Sequence, residues 1–172
     1  MVTFVSLSNL GLFASFWIIF AKFSVFNFNI NQQNPKVMTF PKIIISYLLT
    51  TVVFFAIDMV WLGFVAKNTY RKYLGALLSD TVNWTAAIIF YLVFIAGIFI
   101  FVINPSVEKQ SVARAVLLGA VFGFIAYATY DLTNYATLKG FPLNIVIIDL
   151  AWGAVLTALV SLAGFCIVRF IG

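Results

Sequence analysis

Long apolar runs alternate with short polar stretches through most of this chain. A bilayer crossing takes about 20 consecutive apolar residues. Residues 43–65, 85–103, 113–136 and 143–168 meet that length. The stretches between them, 66–84, 104–111 and 137–142, are short. Only helices and closed barrels satisfy every backbone group inside the hydrocarbon. Uninterrupted runs of this length predict helices, so the expected fold is all-α: a polytopic membrane four-helix bundle.

The region before Met38 has a different pattern. Residues 2–21 are apolar enough for an additional N-terminal hydrophobic helix, and they lack the basic flank of a secretory signal. FSVFNFNINQQNPKV follows at 23–37, Asn-rich and polar, and reads as a linker. Residues 1–37 are therefore expected to be an appendage to a transmembrane domain at 38–172. A translation start at Met38 is the competing expectation.

Composition changes the picture in three ways. The chain has 172 residues, of which 64% are hydrophobic and only 9% charged, against about 25% charged in soluble domains. Its mean hydropathy is +1.12. The net charge of +5 comes from Lys and Arg at segment ends and forms no continuous basic patch. Nucleic acid is not an expected partner, whereas membrane lipids are. Histidine is absent, which excludes His-ligated haem, zinc and di-iron sites and any His-based triad; no cofactor is expected. The single cysteine, Cys166, lies in the last apolar run and reads as small filler.

One membrane side carries Lys36, Lys42, Lys109, Arg114 and Arg169, and the other Lys67, Arg71, Lys72 and Lys139. The positive-inside rule gives a slight preference for Lys42 and Arg169 in the cytoplasm. Residues 67–80, KNTYRKYLGALLSD, mix aromatic and basic residues. They read either as an amphipathic surface helix or as a plain anchoring loop.

Three of the five acidic residues fall inside the apolar runs: Asp58, Asp131 and Asp149. A carboxylate at a helix centre costs about 2.5–3.5 kcal/mol on insertion scales. Counted from Val65, Ala136 and Pro142, all three lie roughly 8–11 Å from one membrane face, at about 1.5 Å per residue. Neighbouring residues extend the signal. Tyr127, Tyr130, Asp131, Asn134 and Tyr135 are linked by three- and four-residue steps into one stripe, which runs back through Gly123 and Gly119. Asp149, Gly153, Thr157 and Ser161 recur every four residues, as do Ser46, Thr50, Phe54 and Asp58. IDMVW at 57–61 and IDLAW at 148–152 each place Trp three residues after Asp. That repeat fits a pseudo-symmetric pocket in antiparallel helices, and it also fits chance in apolar sequence. Trp61 and Trp152 read equally as interfacial belt residues.

The expected ligand-binding residues are Asp58, Trp61, Tyr127, Tyr130, Asp131, Asn134, Asp149 and Trp152. The competing structural reading pairs Asp58 with Lys67 or Arg71, and Asp131 or Asp149 with Lys139, merely fixing helix ends.

Several strings carry a family resemblance. IDMVWLG, YATYDLTN, ATLKGFPL and DLAWG, within residues 38–168, closely resemble the domain of unknown function 2177 family of four-helix, mainly bacterial membrane proteins. The resemblance implies a bacterial cytoplasmic (inner) membrane protein. It carries over no activity and no residue role. The family's usual start falls near Met38, so residues 1–37 depart from it.

Three functions follow from the residues. The first is binding or translocation of a small cation, proton or amphipathic ligand at the aspartates, with a homodimer expected because four helices are few for a pathway. The second is a membrane enzyme acting on a lipid or isoprenoid, with carboxylates as acid and base or as Mg²⁺ ligands. The third is an accessory subunit whose aspartates meet a partner's basic residues. No catalytic residue and no metal ligand is assigned.

Overall fold

The computed structural model describes residues 39–79 and 81–172. The expected N-terminal hydrophobic helix and linker lie outside them. Six α-helices occur among the described residues: α1 Phe40–Val60, α2 Lys67–Leu74, α3 Trp84–Ile98, α4 Asn104–Glu108, α5 Val112–Thr137 and α6 Leu143–Ile171. Two π-helical turns, Trp61–Val65 and Phe99–Ile103, extend α1 and join α3 to α4. The four spans are thus Phe40–Val65, Trp84–Glu108, Val112–Thr137 and Leu143–Ile171, all long and apolar enough to cross a membrane. The described residues are thus helical, and four of their helices have the length and apolarity of membrane spans.

Local chemistry sets the ends. Asn83 caps α3 by accepting from the Ala86 amide at 3.1 Å, and Ser111 caps α5 by accepting from the Arg114 amide at 3.2 Å. Pro41 stands in the first turn of α1, where its missing N–H costs nothing. The second span runs past the expected end at Ile103 to Glu108. A proline ring crowds the carbonyl four residues earlier. The wide π turn directly before Pro105 gives that carbonyl room, so the helix continues through NPSVE instead of stopping. The turn after it closes with Gln110 at φ 49°.

The bundle packs through small residues. A Cβ added at Gly119 would sit 2.8 Å from the Thr157 carbonyl oxygen, and one at Gly164 would sit 3.2 Å from Thr50. The backbones of α5 and α6 meet where Gly123 faces the Gly153 carbonyl. Such close crossings are how helices associate without a hydrophobic drive in lipid. Thr157 and Ser161 are buried against this seam with no hydrogen-bond partner for their hydroxyls. Their small size explains their place better than their polarity does. The four-residue row of α1 faces inward as the pattern predicts: Ser46, Thr50, Phe54 and Asp58 are its buried residues. Phe54, Phe94, Ile98, Val102, Leu156 and Val160 form the apolar core. Large apolar residues such as Phe64, Val93, Leu117 and Phe170 point outward, where lipid would surround them. Cys166 is exposed.

Candidate functional site

Asp58 lies in the last turn of α1, on its buried face. Tyr91 of α3 donates its hydroxyl to Asp58 Oδ2 at 2.8 Å. Trp152 of α6 donates Nε1–H to Oδ1 at 3.4 Å. The Trp152 ring in turn stacks on Trp61, with centroids 4.1 Å apart and planes 6° from parallel. Trp61 begins the π turn that follows Asp58, and such turns recur at functional sites.

Asp149 lies two turns into α6. Its Oδ1 accepts a hydrogen bond from the Tyr70 hydroxyl of α2. The apolar face of α2 makes this possible. Tyr70 and Leu74, one turn apart, pack on Phe141, Ile145 and Val146 at the start of α6, while Lys67, Arg71 and Lys72 stay exposed. Of the two readings of residues 67–80, the helix forms over the first eight residues, Lys67–Leu74. Burial pushes the Tyr70 phenol well above its ordinary value, and the bond to Asp149 and the charges of Asp149 and Asp131 push it further. The Trp61 N–H faces the same phenol oxygen and opposes that rise slightly, but its geometry falls short of a hydrogen bond.

Asp131 of α5 differs from the other two. It is 1% exposed, and neither carboxylate oxygen has a hydrogen-bond partner. The charged neighbour that acts on it is Asp149. Among the described residues, no lysine or arginine acts on any of the three aspartates. The ion pairs with Lys67, Arg71 and Lys139 that would fix helix ends are not formed. Nor do three carboxylates converge on a metal-sized space among the described residues; the structure offers no support for a Mg²⁺ site.

The aspartates therefore occupy two neighbouring settings. Asp58, Tyr91, Trp152 and Trp61 form one; Asp149, Tyr70 and Asp131 form the other. Tyr127 of α5 stands between them, within electrostatic reach of Asp58, Asp149, Tyr70 and Tyr91. Its ring lies over Gly153, where any side chain would collide with it. Asn134 is half-buried on the same helix. Tyr130 is not brought in: it is 66% exposed. At 3.6 residues per turn the stripe from Tyr127 to Tyr135 spans about 140°. That is wider than the face α5 buries, so Tyr130 and Tyr135 emerge at its edges.

Two contributors, Tyr70 and Tyr91, stand outside the expected ligand set. Tyr70 was legible only as the inward residue of an amphipathic turn. Tyr91 is polar in an otherwise apolar helix, a weak signal.

No curated protein and no solved structure matches the chain. A family model described as a predicted membrane protein, domain of unknown function 2177, matches residues 43–166, nearly the whole bundle, and the chain belongs to that family.

Proposed function

We propose that this membrane protein binds a proton or small cation at Asp131, beside Asp149, and passes it toward one membrane face. The supporting observation is that both Asp131 oxygens are buried without a partner. A buried charge with nothing to offset it is strongly unfavourable. A proton or cation arriving at Asp131 removes that penalty, so the site is built to take one up. Asp149 adds to the attraction, and Tyr70 fixes its orientation. Intramembrane carboxylates commonly mark ion and proton paths. The setting is the bacterial cytoplasmic membrane, and a homodimer is the working unit that would enclose a path.

Proteoliposomes loaded with a pH- or cation-sensitive dye test this reading. Wild type should dissipate an imposed gradient, and Asp131→Asn, which keeps the shape and removes the charge, should not. Equal flux through both proteins would rule out the role given to Asp131.

A further inference from the structure

Beside the stacked indoles lies an open groove of about 410 Å³, lined by Ala56, Ile57, Val60, Trp61, Val65 and Trp152. Every lining residue is apolar or aromatic. The groove runs along the end of the first span, and Val65 at its limit is followed by buried Ala66 and then Lys67, the first residue of α2. The groove wall and α2 are also tied in space, because Trp61 lines the groove and faces Tyr70 of α2.

Lys67 and Arg71 are exposed and one helical turn apart, which places them on the same side of α2. Among the described residues neither has an ionic partner. Lys72 differs, since its ammonium lies 5.3 Å from the centre of the Tyr73 ring. The apolar slot therefore reaches Val65, two residues before the first of two exposed cations on α2. Two tryptophans form its wall, the residue type that favours headgroup depth.

We infer that this groove holds one acyl chain of an anionic phospholipid whose phosphate is met by Lys67 and Arg71. A zwitterionic lipid fits the slot equally well but gains less from the cations. This site is separate from Asp131 and stands whether or not Asp131 takes a cation.

Native mass spectrometry of the full chain in detergent, with added phosphatidylglycerol or phosphatidylcholine, tests the inference. Each cation near an anionic lipid surface strengthens attraction by about fivefold. Wild type should therefore retain phosphatidylglycerol over phosphatidylcholine by roughly twentyfold. Lys67→Gln with Arg71→Gln should bring the two lipids level, while Ala56→Phe, which fills the slot, should lower retention of both. Circular dichroism of each variant confirms that it is folded before its lipid binding is compared. Equal retention of the two lipids by wild type overturns the inference, as does a preference that survives loss of both cations. Unchanged retention in Ala56→Phe overturns the place given to the acyl chain.

Discussion

Trp61 and Trp152 lie face to face, ring centroids 4.1 Å apart, although 91 positions separate them in the chain. Each follows an aspartate by three residues, in IDMVW and IDLAW. The Trp152 N–H reaches across to Asp58 of the other motif, at 3.4 Å. The symmetrical bond from Trp61 to Asp149 is not made. Tyr70 stands in that place, with its hydroxyl on Asp149, while the Trp61 N–H makes no hydrogen bond. The repeat is thus a structural pairing, made asymmetric by one inserted tyrosine.

Stacked indoles couple electronically, so wild type should show a split band in near-ultraviolet circular dichroism. Trp61→Phe and Trp152→Phe should each abolish it. Their stabilities should differ. Loss of the stack costs about 0.5–1.5 kcal/mol in either variant. Trp152→Phe also removes a donor from a buried carboxylate, a further cost of about 1 kcal/mol for a bond this long. Detergent unfolding curves that coincide for the two variants would show that the Trp152 bond to Asp58 has no energetic weight.

Tyr70 makes stability depend on alkaline pH. An unfolded tyrosine ionises near pH 10, while the folded phenol is held above that by burial and by Asp149. Between those values the unfolded chain releases a proton that the folded chain keeps. The contribution of Tyr70 is therefore complete below about pH 10 and declines as pH rises beyond it. Melting temperatures of wild type and Tyr70→Phe should be furthest apart at pH 8 and converge toward pH 11. Every other side chain is the same in both proteins, so the difference isolates Tyr70. A gap that stays constant over this range would mean that neither burial nor Asp149 holds the folded phenol above its ordinary value.

The pattern of apolar runs made the spans legible, because lipid demands length and hydrophobicity from every crossing. Bilayer physics says less about where a helix stops. Glu108 lies five residues past the expected end because a π turn accommodates Pro105, and such a turn leaves no periodic trace. The inward rows of α1 and α6 were readable since four-residue spacing of small and polar residues has few other uses in a membrane. Tyr130 shows the limit of that reasoning: a stripe fixes a direction to within about half a turn, and only packing decides where its edges fall. Tyr70 was hidden for another reason. Its partner is 79 residues away on a different helix, and a short amphipathic turn gives no sign of which carboxylate it will cover.

The α5–α6 seam holds the aspartates at their spacing. Gly123 stands two turns before Asp131, and Gly153 one turn after Asp149. A methyl group at Gly123 would meet the Gly153 carbonyl and lie 2.6 Å from Thr157 Cβ. Backbone cannot rotate aside as a flexible side chain does, so the helices must separate. Overpacking of this kind costs about 1–3 kcal/mol, and it would also displace Asp131 relative to Asp149. Gly63 offers the matched control, since an added Cβ there meets nothing within 4 Å. Thermal unfolding in detergent should find Gly123→Ala clearly destabilised and Gly63→Ala close to wild type. Proteoliposome flux should follow the same order, because only the first substitution moves the carboxylates. If Gly123→Ala proved as stable as Gly63→Ala, the two backbones would not meet at this seam, and the spacing of Asp131 and Asp149 would need another cause.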